Sequence, residues 1–163
     1  FRSRIHNEFY CIQEVIILMA SQINIPNFRN LSTTEIIEVL NNAPYCLLGV
    51  AYNHSVQSSS SQSHNLKVQP LVFPMNYTYR YLRVNNEYVY TFTLHSLNHG
   101  QKIDAINDND RVCLEFNYHT SRSRLSVMVT GTADVDILNN GLARITIRPD
   151  ENGVTGRKFY TSR

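Results

Sequence analysis

The feature that most constrains this chain is a series of short runs with β-strand character, separated by turn signals and only short helical segments. Six such runs are predicted strands, at residues 45–52, 67–81, 88–94, 112–118, 124–135 and 142–147. The pair Asn85-Asn86 is the turn signal between the second run and the third. A parallel sheet needs long crossover segments, usually helices, and none separates these runs. The pattern therefore predicts a mainly β (α+β) fold: a six-stranded, mostly antiparallel β-barrel with short helices.

Two short helices and two polar segments complete the predicted organisation. Ser32 and Glu35 have the spacing of a capping box, which predicts a helix with Ile36, Ile37 and Leu40 facing inward. A second helix is predicted at residues 100–106, and the Ser- and Gln-rich tract at 54–65 is a predicted loop. We interpret residues 1–31 as an N-terminal extension without a functional signal, and residues 32–163 as the barrel domain.

Composition limits the class of protein. The 163 residues suit one domain with a real core, and a formal net charge of +2 is too small to indicate a nucleic-acid or membrane partner. The three cysteines are widely spaced without a CxxC pair, so we expect no disulfide framework and a reducing, cytoplasmic setting. No apolar run approaches the roughly 20 residues of a membrane span. None of the six histidines has HExxH spacing with a glutamate, and we predict no metal site.

The segment richest in chemistry is 93–104, where a strand ends, a polar turn follows and a helix begins. Free N–H groups at a helix start favour an anion, Ser96 adds a hydroxyl donor, and Lys102 adds a positive charge in the first helical turn. The combination suits a terminal phosphate. It is not a P-loop, because His95 stands where the first glycine belongs, and the chain has no GxGxxG. The alternative stays open that Lys102 is a solvated helix lysine and Ser96 an ordinary cap.

A second informative segment, residues 70–77, contains a proline within a predicted strand. Pro74 cannot donate to a β-ladder, so it marks an edge, a bulge or a kink. Such a break leaves neighbouring N–H and C=O groups free to bind the edge of a planar ring system. A plain edge-strand proline is the competing interpretation.

Together these segments resemble the pyridoxamine 5′-phosphate oxidase-like FMN-binding split barrels, in the branch that includes nitroimidazole-resistance proteins. The similarity begins at Ser32 and continues through residues 43–50, 72–77, 95–104, 111–116, 126–135 and 143–156. The resemblance implies a split barrel that forms a homodimer, with two FMN molecules at the subunit interface.

The resemblance also implies roles for individual residues. The strand from Pro74 to Tyr77 would lie along the isoalloxazine, Ser96 and Lys102 would hold the phosphate, and His95 would point near the flavin. As a candidate catalytic residue, His95 would orient a substrate as a neutral imidazole or donate a proton when protonated; alternatively it packs beside the phosphate turn. The cofactor-binding residues so implied are Phe73, Pro74, Met75, Asn76, Tyr77, His95, Ser96 and Lys102, with main-chain contacts from Phe73, Met75 and Asn76.

The leading functional hypothesis is an FMN-dependent oxidoreductase that reduces a small acceptor such as a nitroaromatic, with a nicotinamide compound as a possible donor. The alternative is a non-catalytic module that binds FMN, haem or a deazaflavin. The C-terminal basic and histidine motif that pyridoxamine phosphate oxidases use for vitamin B6 is not visible in residues 156–160, which disfavours vitamin B6 synthesis.

A nucleic-acid-binding barrel is the third hypothesis. Tyr77, Tyr79 and Tyr81 with Arg80 and Arg83 form an aromatic and basic cluster of the kind that stacks bases. Strand alternation places Arg80 on the face opposite the three tyrosines, so the cluster does not make one coherent surface. We therefore expect no nucleic-acid partner.

Overall fold

The computed structural model describes residues 28–55 and 66–160, which form eight strands and two helices. The strands are β1 (Phe28–Asn30), β2 (Cys46–Ser55), β3 (Leu66–Met75), β4 (Tyr77–Val84), β5 (Glu87–Leu97), β6 (Arg111–His119), β7 (Ser123–Ile137) and β8 (Leu142–Tyr160). The helices are α1 (Thr33–Asn42) and α2 (Gln101–Asp108).

All the strand pairs are antiparallel, and the sheet runs in the order β3-β2-β6-β7-β8-β5-β4, with β1 added on β8. The two outermost strands of this order, β3 and β4, are consecutive in the chain and are separated by Asn76 alone. The sheet must therefore curl until its two edges meet at Asn76, although β3 and β4 do not pair along their described lengths. This is an open, split barrel, and the predicted fold class is confirmed.

Three of the differences from the predicted strands change the edges of the sheet and the length of its last strand. The run 67–81 is divided at Asn76 between two edges of the sheet. Phe28–Asn30, which lies in the predicted N-terminal extension, forms a strand that pairs with β8. The last predicted strand, 142–147, continues to Tyr160. It contains a bulge, since Gly131 pairs with Pro149 whereas Val129 pairs with Val154. A Cβ on Gly131 would lie 2.2 Å from the Arg148 carbonyl oxygen, so only glycine lets the two strands approach so closely there.

The capping box predicted at the start of α1 is present. The Glu35 N–H donates to Ser32 Oγ at 3.4 Å, and the Ser32 N–H donates to Glu35 Oε2 at 3.0 Å. Leu40 is buried as predicted, while Ile36 and Ile37 are only half-buried and Val39 takes their place in the core. The capping box thus fixes where α1 begins, and the helix packs against β6 and β7.

The core lies inside the curled sheet. Its largest fully buried side chains come from β2, β5, β6 and β8, and they include Leu48, Phe92, Leu94, Leu114, Phe116, Ile145 and Ile147. Because side chains alternate along each strand, the residues between these positions lie on the outer face of the barrel. His54 and Ser55, the first two residues of the predicted loop 54–65, belong to β2. The rest of that loop, residues 56–65, and residues 1–27 of the predicted N-terminal extension 1–31 lie outside the described residues, so these parts stay predictions.

Candidate functional site

Three of the residues predicted for cofactor binding meet at one corner of the barrel. Lys102, in the first turn of α2, donates from Nζ to Ser96 Oγ at 3.0 Å. The same Nζ lies 5.2 Å from the centre of the Phe73 ring, within the range of a cation–π contact. Phe73, Ser96 and Lys102 come from β3, β5 and α2, so the corner is assembled only when the sheet curls. We call these three residues the Lys102 corner.

The helix start beside this corner is open. Gly100 is the residue before α2 and makes no side-chain cap. Its φ is 101°, a left-handed value that glycine adopts without a steric cost, and a Cβ there would meet nothing within 4 Å. The N–H groups of the first turn of a helix have no partner within the helix. The corner therefore combines open space, backbone donors and a hydroxyl.

The charge of Lys102 has no acidic counterpart in the part of the chain that the structure describes. Among residues 28–55 and 66–160, the ammonium group forms no ion pair, and its contacts are the Ser96 hydroxyl and the Phe73 ring. Burial lowers the pKa of Lys102 from its usual 10.5, because desolvation penalises the charged form. An anion at this corner would reverse that penalty. The arrangement is thus suited to a phosphate group.

The edge of the barrel next to this corner is the free side of β3. Pro70 and Pro74 are an even number of residues apart, so they direct their main-chain atoms to the same side of the ladder. Because proline has no N–H, we expect this to be the outer side, where no ladder bond is lost. Val72 would then present its N–H and C=O outward, while the main-chain groups of Phe73 and Met75 would face β2.

The remaining residues of the segment fix the join between β3 and β4. Met75 is buried, and its carbonyl accepts a hydrogen bond from Cys46 Sγ at 3.5 Å. Asn76 is exposed and belongs to neither strand. The Tyr77 hydroxyl donates to the carbonyls of Leu40 at 2.7 Å and Ala43 at 3.1 Å, which ties the join to the end of α1. Partial burial raises the pKa of Tyr77 to about 12, which keeps its hydroxyl a donor.

His95 lies on the opposite face of β5 from Ser96. The predicted strand ended at residue 94, but β5 continues to Leu97, so His95 and Ser96 alternate rather than share a turn. Ser96 faces the same side as the buried Leu94, whereas His95 is exposed on the outside of the barrel. The structure therefore does not bring His95 into the Lys102 corner.

On the outer face, His95 lines a cavity of about 590 Å³ between β4, β5 and β8, which we call the outer cavity. The cavity is rich in hydrogen-bond donors, and its cationic residues are Arg80, Arg144 and Arg148. Its hydroxyl groups come from Thr78, Thr91, Thr93 and Thr146. Arg144 pairs with Asp136 at 2.9 Å, and Arg148 pairs with Asp134.

Sequence reasoning missed this arginine and threonine surface. Arg144, Thr146 and Arg148 alternate with buried Ile145 and Ile147, so one strand face is readable from the sequence. What the sequence does not show is that this face lies beside His95 and Arg80, because that depends on the pairing of His95 with Arg144 across distant strands. Only the register between β5 and β8 determines which side chains lie next to this face.

Residues 28–55 and 66–160 lack two features. No helix there is long and apolar enough to cross a membrane. No group of three or more histidine, cysteine, aspartate or glutamate side chains is arranged to hold a metal ion in that part of the chain.

Comparisons with known proteins give similarity in structure only. No protein-family model and no curated protein sequence matches the chain. Among solved structures, the proposed 5-nitroimidazole antibiotic resistance protein of Bacteroides thetaiotaomicron superposes with a TM-score of 0.59 at 17% identity, over 82% of this chain and 89% of that one.

Two other solved structures have the same architecture. The proposed pyridoxamine 5′-phosphate oxidase of Corynebacterium glutamicum gives a TM-score of 0.54 at 18% identity, over 86% of this chain and 99% of that one. The FAD-binding protein of Mycobacterium smegmatis gives 0.52 at 19% identity, over 81% and 98%. The chain thus has the fold of the pyridoxamine 5′-phosphate oxidase-like and nitroimidazole-resistance split barrels that its sequence resembles.

Proposed function

We propose that this chain is a flavoprotein that binds FMN and reduces a small acceptor such as a nitroaromatic. The observation that carries the proposal is the Lys102 corner: a half-buried ammonium group, 3.0 Å from a serine hydroxyl and without an acidic partner among the described residues. A buried cation without an anion is costly, and a ligand phosphate supplies the missing charge. The Mycobacterium smegmatis neighbour, an FAD-binding protein, supports a flavin in this fold.

The residues of the corner fit a phosphate group. Lys102 and Ser96 would donate to two of its oxygens, and the first-turn N–H groups of α2 after Gly100 would donate to the others. The open space at Gly100 leaves room for the group to approach the backbone. These donors are fixed by packing, since Ile103 and Ile106 bury the inner face of α2. These donors would thus form the phosphate site before the ligand binds.

The ring system would lie along the free edge of β3. That edge runs from Val72 to Asn76, next to the Phe73 ring that already covers Lys102. Outward main-chain groups of this edge would bind the polar edge of the isoalloxazine, and Pro74 and Asn76 would border it. The bound flavin supplies the electron-transfer chemistry, and the protein supplies binding, orientation and the exclusion of water.

His95 would serve the acceptor rather than the phosphate. It lies in the outer cavity, one residue from Ser96 along β5 but on the other face. There its imidazole would orient the acceptor or donate a proton to it. Arg144, which pairs with His95 across the strands, would add a donor for the partially negative oxygens of a nitro group. His95 is the candidate catalytic residue of the proposal.

A second copy of the chain is part of the proposal, as the family resemblance implies. The outer face of β2 and β3 is apolar: Val68 and Val72 are 60% and 62% exposed, and Pro70 and Pro74 lie on the same face. Leu47 pairs with Pro74, and Ala51 pairs with Pro70, so β2 extends this apolar face. An apolar face beside the proposed flavin edge suits a homodimer with the cofactor at the interface. We call it the β2–β3 face.

A cytoplasmic setting goes with this proposal. Cys46 and Cys113 are free thiols, as expected in a reducing compartment. Burial raises the pKa of the Cys46 thiol to about 12, so it stays protonated and unreactive.

The experiment is an absorption spectrum of the purified full-length chain, followed by mass identification of the ligand released on denaturation. We expect a flavin spectrum and FMN in the released fraction, at one per chain. Bleaching by a nicotinamide donor and recovery on adding a nitroaromatic would establish turnover; bound flavin without turnover would favour the non-catalytic module. A haem or deazaflavin spectrum, or a colourless protein that does not take up added FMN, would contradict the proposal.

A further inference from the structure

We propose that the outer cavity is a second anion site, which binds a diphosphate group on the side of the sheet opposite the Lys102 corner. The charges in this cavity are not balanced. The cavity holds three arginines, Arg80, Arg144 and Arg148. Arg144 pairs with Asp136, which also lines the cavity, and Arg148 pairs with Asp134. Arg80 is left without a hydrogen bond or ion pair among residues 28–55 and 66–160. The surface therefore keeps one uncompensated guanidinium group.

The strand register arranges the donors of the cavity in rows. Thr78 pairs with Thr93, and Thr93 pairs with Thr146, so three hydroxyl groups lie side by side across β4, β5 and β8. Neighbouring strands are about 4.8 Å apart, so neighbouring hydroxyl groups of the row have about the same spacing. Each can then contact a different oxygen of one ligand. None of the three hydroxyls has a hydrogen-bond partner within the described residues.

Cationic rows flank the threonine row on both sides. On one side His95 pairs with Arg144, and on the other Arg80 pairs with Thr91. Thr91 and His95 are four residues apart in β5, a distance of about 13 Å along an extended strand. A single small anion does not span that length. The arrangement fits an extended ligand whose phosphates contact Arg80 and the threonines and whose far end reaches His95.

Phosphate is the favoured group because of the donor types. Guanidinium groups bind phosphate through two parallel hydrogen bonds, and threonine hydroxyls supply neutral donors to the remaining oxygens. The chemistry is that of a diphosphate, and its source is either free pyrophosphate or a nicotinamide dinucleotide. The anion site itself does not require bound flavin, although a role for the dinucleotide as electron donor rests on the proposed function.

The test uses sodium pyrophosphate and the full-length chain, with Lys102→Ala as the background so that the other corner does not contribute. We expect pyrophosphate to bind, as measured by calorimetric titration. A reduced nicotinamide dinucleotide, which is long enough to reach His95 from the phosphate contacts, should also shift the imidazole resonances of His95 in NMR spectra. Arg80→Ala in the same background should weaken binding at least tenfold. Arg83→Ala removes the same charge from the same strand, but Arg83 does not line the cavity and contacts Asn86 and Tyr88 instead; we expect no change.

The inference is overturned if pyrophosphate does not bind to the background protein, or if Arg80→Ala and Arg83→Ala bind pyrophosphate equally. A second copy of the chain that covers Arg80 would also overturn the inference. In that case Arg80→Ala would change the oligomeric state, and the background protein would not bind pyrophosphate. Competition between pyrophosphate and a reduced nicotinamide dinucleotide identifies the source of the phosphate. The proposed function is tested separately, in Arg80→Ala with Lys102 intact. This protein should keep its flavin and stay yellow, because Arg80 does not belong to the Lys102 corner.

Discussion

His95 and Ser96 are neighbours in β5 whose side chains leave the strand on opposite faces of the sheet. Ser96 accepts the hydrogen bond of Lys102 on the inner side, and His95 opens into the outer cavity. The end of β5 can therefore serve two functions: Ser96 can bind a phosphate on one face, and His95 can contact an acceptor on the other. The two roles should be separable by single substitutions.

The first prediction concerns Lys102. Lys102→Ala removes the one charged donor of the corner, and a hydrogen bond from a charged group contributes about 1.5–3 kcal/mol. We therefore expect FMN to bind about tenfold to a hundredfold more weakly. Binding is measured by fluorescence titration of the flavin-free protein.

The control for Lys102 is Arg124→Ala, which removes an exposed positive charge from β7, away from the corner. It should retain flavin like the unmodified chain. Equal retention in both variants would mean that the phosphate lies elsewhere.

The second prediction concerns His95. His95→Gln should leave FMN retention unchanged and lower the rate of acceptor reduction by about a hundredfold, the order that a general acid contributes. The measurement is steady-state reduction of a nitroaromatic with saturating donor. If flavin is lost in step with activity, His95 belongs to the cofactor site after all.

The pH profile of acceptor reduction separates the two roles that His95 can have. A proton-donating imidazolium predicts activity that falls as pH rises, whereas a neutral imidazole that orients the acceptor predicts activity that falls as pH decreases. If His95→Gln no longer shows this pH dependence, the group that titrates in the profile is His95.

The separation of His95 from Ser96 also shows how far the sequence could lead. A capping box is a local pattern, so the start of α1 at Ser32 was predictable, and so was the helix after Gly100. The end of β5 was not predictable, because residues 95–97 are strand only through their pairing with residues 142–144 of β8. A polar sequence that reads as a turn became a strand through a partner almost fifty residues away.

The same reason explains the other differences. Residues 67–81 read as one β-run, and nothing local shows that Asn76 joins opposite edges of the sheet. The tie that fixes this join, from the Tyr77 hydroxyl to Leu40 and Ala43, spans more than thirty residues. The Lys102 corner was predicted as a pair, Ser96 with Lys102, since the two residues are close in sequence. The Phe73 ring that covers Lys102 was predicted only as a main-chain contact to the flavin.

The third prediction concerns the β2–β3 face. Val72→Asp places a charge in the middle of an apolar face, so a homodimer formed there should dissociate and release its flavin. Light scattering during size-exclusion chromatography gives the mass of the particle, and circular dichroism shows that the chain is still folded. Val84→Asp is the matched control, since Val84 is 49% exposed at the far end of β4. A Val72→Asp protein that remains a dimer would place the interface elsewhere.

The fourth prediction concerns the start of α1. Ser32→Ala removes the side-chain acceptor of the Glu35 N–H, and the loss of such a cap costs about 1 kcal/mol of unfolding free energy. The measurement is the midpoint of urea unfolding at neutral pH. Thr34→Ala is the control, because Thr34 is exposed in the same turn and caps nothing. Equal midpoints for the two variants would contradict the capping role.

The last prediction extends this cap to its pH dependence. Hydrogen bonds from the Arg29 side chain, and next from the Ser32 N–H, lower the pKa of Glu35 from its usual 4.5 to about 2. A carboxyl group whose pKa is lower in the folded state stabilises the protein fully above the unfolded value, and this stabilisation is lost as pH falls through the folded value. Glu35→Gln should therefore be less stable than the unmodified chain at pH 7. The difference should shrink as pH falls from about 4.5 to about 2, where both side chains are neutral. Urea unfolding at stepped pH measures it, and a difference that stays constant over that range would show that Glu35 does not act through its charge.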